Sequence, residues 1–230
     1  MNFRQRSDKT EILDDPSIPF ADIRQNMQEL DFINTWLGGH QITIAGVKKL
    51  AGSRRSFSVC EIGCGGGDNL LAIHRWAQKN GFEVSLAGID INQNCIDVAK
   101  DKLSGLNAEL ISSSYELAIP SSKPDIIFSS LFCHHFSDEQ LCFMMKWMAD
   151  NASLGFFIND LHRHPLAFYS IRGLTAAFSK SYMVRNDAPL SVLRGFSRKD
   201  WRGILGKAGV VSYDIKWKWA FRWLVTSANC

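Results

Sequence analysis

The sequence has few cysteines, and they lack the spacing that disulfide scaffolds or zinc sites use. Its six cysteines are scattered without a Cys-x-x-Cys pair, and most lie in apolar runs, as buried thiols in a reducing compartment do. No apolar run approaches the roughly 20 residues that cross a bilayer. The segment from Met1 to Asp15 lacks the apolar centre of a signal peptide. We therefore expect a cytoplasmic protein without a membrane span.

An excess of charge of one sign is also missing. Lys and Arg total 26 and Asp and Glu total 23, so the formal net charge is only +3. This balance gives no electrostatic footprint for nucleic acid, and we predict no nucleic-acid partner. The chain has no internal repeat or low-complexity linker, and its 230 residues are enough for a large core. We expect one domain over residues 1–230, whose oligomeric state the sequence leaves open.

Apolar periodicity changes along the chain from helical to alternating strand and helix. Residues 1–56 form a predicted helical extension, in which Ile23, Met27 and Leu30 recur at helical spacing. Short apolar strands separated by helices then follow, at residues 59–62, 84–89, 108–111, 125–130 and 156–158. Strands that alternate with helices indicate an α/β fold with a parallel, doubly wound sheet.

The C-terminal end departs from this alternation. Two strands, at residues 210–217 and 221–226, are joined by too few residues for a helical crossover. The last strand must therefore run antiparallel to its neighbour. The sequence thus predicts a mostly parallel seven-stranded sheet with an antiparallel last strand.

A glycine-rich loop follows the first predicted strand. It reads Glu61-Ile-Gly-Cys-Gly-Gly-Gly67, and glycines there allow a sharp turn and close approach of a ligand to the backbone. Asp68 stands where a dinucleotide fingerprint has its third glycine, and an acid there would repel a pyrophosphate. Glu61 suits an ammonium group better than a phosphate. Asp90, at the end of the second strand, is placed to accept the hydroxyl protons of a ribose.

These features together resemble the class I S-adenosylmethionine-dependent methyltransferases, over residues 57–227. The set comprises Glu61, the Gly-x-Gly-x-Gly loop and Asp90 at the end of the second strand. It also includes a fourth strand that begins Pro124-Asp125-Ile126-Ile127, and the closing hairpin. The resemblance implies a Rossmann-like methyltransferase fold, S-adenosylmethionine as cofactor, and methyl transfer to a small molecule. That molecule would be the chain's partner.

The resemblance also implies roles for individual residues. The three glycines would lie under the methionine part of the cofactor, with Glu61 near its amine, Asp90 on the ribose and Ile91 against the adenine. Where the family often has an Asp after strand three, this chain has a run of serines, of which we choose Ser114. The predicted cofactor-binding set is Glu61, Gly63, Gly65, Gly67, Asp90, Ile91, Ser114 and Ser129.

Histidines follow the fourth and fifth strands. His134 and His135 come after strand four, and Asp160, His162 and His164 come at the end of strand five. Because the carboxyl ends of parallel strands form one crevice, we expect all four histidines at the cofactor mouth. We predict His135 or His134 as the general base, with Asp160 orienting an imidazole or polarising the acceptor.

Two other interpretations of the histidines stay open. They could be loop residues that hydrogen-bond the backbone. They could also bind a divalent ion, with His134, His135, Asp160, His162 and His164 as ligands. The spacing guarantees no such site, and our prediction assigns no metal ligand.

An apolar and aromatic insertion covers residues 165–196, with arginines interspersed. We expect it to be a helical lid over a flat acceptor, such as a phenolic or polyketide-like product of secondary metabolism. Helix packing is the competing explanation. Strand four lacks the Asn/Asp-Pro-Pro-aromatic motif with which many amino methyltransferases hold a nitrogen, which disfavours DNA adenine and protein glutamine as acceptors. A histidine base suits a hydroxyl acceptor. Carbon methylation of a quinone or enol, and a catalytically silent cofactor-binding subunit, are the alternatives.

Overall fold

The computed structural model describes residues 2–15, 17–118 and 120–229 of the chain. A short 3-10 helix at Ile12–Asp14 comes first, followed by helices α1 (Phe20–Trp36) and α2 (Gly39–Ala51). Gly38 joins the two helices with a φ of 76°, a conformation that glycine adopts without strain. The predicted helical N-terminal extension is therefore present.

A seven-stranded sheet forms the centre of the molecule. Its strand order is β3-β2-β1-β4-β5-β7-β6. Strand β7 is antiparallel to both β5 and β6, whereas the pairs among β1 to β5 are parallel. The predicted fold class and the antiparallel last strand are confirmed. The strands are β1 (Ser56–Ile62), β2 (Glu83–Asp90), β3 (Ala108–Ser112), β4 (Ile126–Ser130), β5 (Gly155–Leu161), β6 (Asp214–Lys218) and β7 (Arg222–Ala228).

Helices cover both faces of this sheet, so its central strands are buried on both sides. Strand β4 shows this directly, because Ile127 belongs to one apolar core and its neighbour Phe128 to the other. The remaining helices are α3 (Asp68–Lys79), α4 (Gln93–Lys102), α5 (Asp138–Asn151), α6 (Pro165–Phe178), α7 (Tyr182–Arg194) and α8 (Arg198–Lys207). The polar groups that bind a ligand in such a sheet lie beyond the carboxyl ends of its strands.

The insertion at residues 165–196 forms two helices, α6 and α7, that pack against each other. Helix α7 also holds the N-terminal segment. The Asp187 carboxylate accepts hydrogen bonds from the backbone N–H groups of Ile12 and Leu13, at 2.9 and 3.0 Å. The insertion therefore anchors the chain that precedes α1.

None of the helices in the described part of the chain is both long enough and apolar enough to cross a membrane.

Candidate active site

The glycine loop turns the chain from β1 into α3 and leaves its backbone open to a ligand. Gly63, Gly65 and Gly67 all have positive φ angles, of 68°, 50° and 78°. A Cβ at Gly63 would overlap the ring of Phe132, so this position requires glycine for space as well as for conformation. Gly67 is the N-cap of α3. The three predicted glycines therefore shape one turn at the carboxyl end of β1.

Glu61 is a buried acid with one unpaired oxygen. Its Oε1 accepts a hydrogen bond from Nδ2 of Asn69 at 2.8 Å, whereas Oε2 is buried without a partner. Burial raises the pKa of the Glu61 carboxyl well above its usual 4.5. A buried carboxylate of this kind is stabilised by a cationic ligand, and an ammonium group would supply the missing partner.

Asp90 connects the glycine loop to the end of β2. Its Oδ2 accepts from the N–H of Gly65 and its Oδ1 from the N–H of Asn92, both at 2.9 Å. Burial raises the pKa of this carboxyl too. Each carboxylate oxygen has two lone pairs, so both retain the capacity to accept another hydrogen bond.

A cavity of about 840 Å³ lies beside these residues. Ile91, whose side chain is 76% exposed, and Ser114 are on its wall. Ser130, not Ser129, faces the cavity, because successive side chains of a strand point in opposite directions. Ser129 is fully buried, and its hydroxyl contacts the Cys133 thiol instead. The wall otherwise combines the glycine loop, residues 89–95 and 113–116, the segment after β4, and residues from the N-terminal segment and α1.

Of the two adjacent histidines, His135 lines the cavity. Its Nδ1 lies 2.9 Å from Oδ1 of Asp14, another cavity residue. Burial acts to raise the pKa of Asp14, but the hydrogen bond and charge of His135 outweigh it and lower the pKa to about 2. Asp14 is therefore an ionised partner for this imidazole.

His134 is buried behind the wall, where Asp160 binds it. Its Nδ1 lies 2.8 Å from Oδ1 of Asp160, which is fully buried in β5. Burial alone would raise the pKa of Asp160, yet the contacts with His134, the Leu161 N–H and Arg222 lower it. The structure thus brings Asp160 and His134 together as a pair, while His135 takes Asp14.

Glu11 lies between the two imidazoles. Its Oε1 is 3.6 Å from Nε2 of His134 and its Oε2 is 3.9 Å from Nε2 of His135. Burial raises the pKa of Glu11 to about 7, against the lowering effect of His135, Ser191 and Arg194. Sequence reasoning missed both Glu11 and Asp14, because the N-terminal segment has no periodicity that would place it at a sheet edge.

Arginine side chains hold the backbone of the histidine pair. Arg194 donates from Nε to the carbonyl of His134 at 3.0 Å and from Nη2 to that of His135 at 2.9 Å. Arg6 donates to the carbonyl oxygens of His134 and Phe136, at 3.2 and 2.8 Å. These contacts fix the short helix Cys133–His135 and neutralise the partial negative charge of its carbonyl groups.

The expectation that all four histidines converge is wrong. His162 accepts a hydrogen bond at Nδ1 from Nε1 of Trp217 at 3.2 Å, and the His164 ring stacks on Phe221 at 5.3 Å. Both rings pack against the β6–β7 hairpin, because β5 continues through Leu161 and carries the chain beyond the cavity mouth. The five-ligand metal set considered from the sequence is therefore not assembled.

A different group of side chains has the composition of a metal site. One atom each from Glu11, His134 and His135 lie within 4.8 Å of one another, and imidazole and carboxylate are ligands that divalent ions accept. Only His135 of these three reaches the cavity wall. We assign no metal to this group.

The insertion does not contribute to the cavity wall. Among the described residues that line the cavity, none lies between 165 and 196. The outer wall comes instead from the N-terminal segment, with Leu13 and Ile18, and from α1, with Ile23, Met27 and Leu30. The part expected to be a lid supports the wall from behind.

Comparisons with known proteins agree with this fold. A family profile described as "Methyltransferase domain" matches residues 59–153. The plantazolicin methyltransferase BpumL in complex with SAH superposes with a TM-score of 0.64 at 19% identity, over 90% of this chain and 76% of that one. An Aquifex aeolicus SAM-dependent methyltransferase gives 0.59 at 19% identity, over 82% and 89%. Human N-acetylserotonin methyltransferase with SAM gives 0.61 at 16% identity, over 90% and 56%.

No curated protein sequence matches the chain significantly. The family match covers residues 59–153, and the sheet order is that of the Rossmann-like methyltransferase fold, as the sequence resemblance implied. Two of the similar structures hold SAH or SAM, which agrees with the cofactor that the sequence resemblance implied.

Proposed function

We propose that the chain is an S-adenosylmethionine-dependent methyltransferase that transfers a methyl group to a hydroxyl oxygen of a small aromatic molecule of the phenolic or polyketide type. The observation that carries the proposal is the position of His135, an imidazole on the cavity wall that is held by an ionised carboxylate. A hydroxyl acceptor needs such a base, because it becomes a good nucleophile only as its proton leaves.

The residues around the glycine loop fit the cofactor. The unpaired buried Oε2 of Glu61 suits the amine of the methionine part, and the space beside Gly65 is open, since a Cβ there would meet no atom within 4 Å. Asp90 would accept hydrogen bonds from the ribose hydroxyls, and Ile91 would pack on the adenine, with Ser114 near its edge. When bound, S-adenosylmethionine supplies an activated methyl group on a sulfonium centre.

His135 would receive the hydroxyl proton. In the tautomer whose Nδ1–H donates to Asp14, Nε2 is the free acceptor. The resulting imidazolium would lie 2.9 Å from the ionised Asp14, which stabilises its positive charge, and 3.9 Å from Glu11. His134 and Asp160 act behind it, because their pairing fixes the segment on which His135 stands.

The wall nearest His135 suits an apolar, flat acceptor. Leu13, Ile18, Phe132 and Phe136 line this part of the molecule, and the rings of Phe132 and Phe136 pack edge to face with centroids 4.8 Å apart. Aromatic walls of this kind bind ring systems through apolar contact and exclude water. We place the activity in the cytoplasm, which is supported by the free thiols of the described cysteines.

The test is an acceptor screen with S-adenosylmethionine that carries a deuterated methyl group. We expect label on phenolic hydroxyl oxygens, read by mass spectrometry and by the position of the new methyl signal in proton NMR. Each phenol is paired with its methyl ether, which offers the same ring without the hydroxyl. Label on ring carbon, or equal labelling of phenol and ether, would contradict hydroxyl methylation.

Chelation separates the base from a metal. Activity that survives exhaustive treatment with a chelator supports proton removal by His135 alone. Activity that is lost and then restored by one divalent ion would contradict that mechanism and assign Glu11, His134 and His135 as ligands.

A further inference from the structure

Helix α6 carries an apolar surface that nothing in the described chain covers. Leu166 and Phe178 are 62% and 81% exposed, and Tyr169 and Leu174 are exposed between them. Ala167 and Phe168 of the same helix are instead buried against α7. A surface helix of a globular protein normally keeps its outer side polar, so this arrangement indicates a binding surface.

The β6–β7 hairpin extends the apolar surface. Trp217 and Trp219 are exposed there, and the ring of each lies 6.1 Å from that of Phe221. Phe221 in turn stacks on His164, the N-cap residue of α6. The hairpin therefore adjoins the start of α6. We call this surface the aromatic face, which comprises Leu166, Tyr169, Leu174, Phe178, Trp217 and Trp219.

Basic side chains predominate beside the aromatic face, although Lys216 pairs with Asp214 at 3.4 Å and Glu29 contacts the turn after Phe178. Residues 165–182 and 215–222 contain no Asp or Glu, and their basic residues are Arg172, Lys180, Lys216, Lys218 and Arg222. All but the buried Arg222 and the partly exposed Lys218 are exposed. In a two-fold dimer the same patch meets itself, so like charges would be brought together. A surface of negative charge would complement them.

We propose that the aromatic face docks on an anionic lipid bilayer. Trp and Tyr favour the bilayer interface, where an apolar ring and a polar group are both accommodated, while Leu and Phe side chains enter the acyl boundary. Basic side chains beside them bind anionic headgroups. The face thus combines the two attractions that peripheral binding needs, and it requires no membrane-crossing helix.

A bilayer bound at the aromatic face would lie close to elements that line the cavity. The turn between α6 and α7 contacts α1, because Oε1 of Glu29 accepts from the N–H groups of Lys180 and Ser181 at 3.2 and 3.1 Å. Helix α1 lines the cavity, and α7 holds the N-terminal segment that lines it too. Helices α1 and α7 thus connect the docked surface to the cavity wall. The docking itself does not depend on which acceptor is methylated.

The experiment is sedimentation of the full chain with vesicles of phosphatidylcholine alone or of phosphatidylcholine mixed with phosphatidylglycerol. We expect binding to the anionic vesicles, with a blue shift of Trp emission, and weaker binding at high salt. The L166E/F178E double variant changes two exposed side chains and should bind at least tenfold more weakly. Arg172→Glu should weaken binding about fivefold or more. Phe143→Glu, at an exposed site on α5, is the matched control and should bind like the unmodified chain.

Three results would overturn the proposal. The unmodified chain could fail to bind anionic vesicles, or the double variant could bind them as well as the Phe143→Glu control. The double variant could also convert a dimer to a monomer in light scattering while neither protein binds vesicles. This last result would assign the face to a second copy of the chain.

Discussion

Oδ1 of Asp14 lies 2.9 Å from Nδ1 of His135, although the two residues are 121 positions apart in the chain. The contact joins the N-terminal segment to the loop after β4, and both residues line the cavity. The segment before α1 is therefore part of the proposed catalytic site. Its removal would leave His135 without the carboxylate that orients it.

Asp14→Asn should lower the rate of methyl transfer by about tenfold or more. A hydrogen bond to a charged group contributes about 1.5–3 kcal/mol, and the amide retains the shape but not the charge. The affinity for S-adenosylhomocysteine, measured by calorimetry, should stay within a few fold. Asp8→Asn is the control, because Asp8 is exposed in the same segment. A rate for Asp14→Asn equal to that of the control would show that His135 does not depend on this contact.

Glu61→Gln should have opposite effects on folding and on cofactor affinity. The unfolded chain ionises this carboxyl near its usual pKa of 4.5, whereas the folded protein holds the proton to higher pH. The free energy of unfolding therefore falls as the pH rises above 4.5 in the unmodified chain, and the variant lacks this loss. We expect a higher melting temperature for the variant at neutral pH and a smaller difference at acidic pH.

The same variant should bind S-adenosylhomocysteine about tenfold or more weakly, because the amide cannot pair with the ammonium group. Glu139→Gln, on an exposed position of α5, serves as the control. A lower melting temperature of Glu61→Gln at neutral pH, or an unchanged affinity for S-adenosylhomocysteine, would show that Glu61 does not pair with the ammonium group of the cofactor.

Asp90→Ala should weaken the binding of S-adenosylhomocysteine more than any single change in the glycine loop. The carboxylate anchors Gly65 and Asn92 as well as the proposed ribose contact. Each charge-assisted hydrogen bond contributes about 1.5–3 kcal/mol at most, so the loss should exceed tenfold. Calorimetry against Asp97→Ala, an exposed residue of α4, measures it. An affinity equal to that of Asp97→Ala would place the ribose elsewhere.

Phe168→Ala and Tyr169→Ala separate packing from a role at the acceptor. Phe168 is buried beside Phe3 and Val192, so its truncation should cost about 3–5 kcal/mol of the free energy of unfolding. Tyr169 is exposed, and its truncation should cost under about 1 kcal/mol. Neither should change the acceptor KM, since neither lines the cavity. A raised KM for Tyr169→Ala with an unchanged melting curve would instead support a lid.

The strands of the sheet could be predicted from the sequence because each is marked by a local pattern. Each strand is a short apolar run, and the few residues between β6 and β7 permit an antiparallel pair alone. The cofactor end of the cavity was accessible for a related reason. Gly63, Gly65, Gly67 and Asp90 lie at strand ends, where the topology of the sheet brings them together.

The acceptor end depends on contacts between distant segments, which local patterns do not encode. The pairing of Asp14 with His135 requires the packing of the N-terminal segment on α7. His162 was misplaced because the sequence does not show that β5 continues through Leu161 and meets the closing hairpin. The prediction of Ser129 differs from the cavity residue Ser130 by a single residue of the strand, which reverses the direction of the side chain.

The single-turnover rate of methyl transfer by His135→Ala tests the account most directly. A phenolic acceptor found in the screen and saturating S-adenosylmethionine isolate the chemical step from product release. We predict a rate about 10²–10⁴-fold below that of the unmodified chain, with affinity for S-adenosylhomocysteine within a few fold. A transfer rate equal to that of the unmodified chain would contradict proton removal by His135.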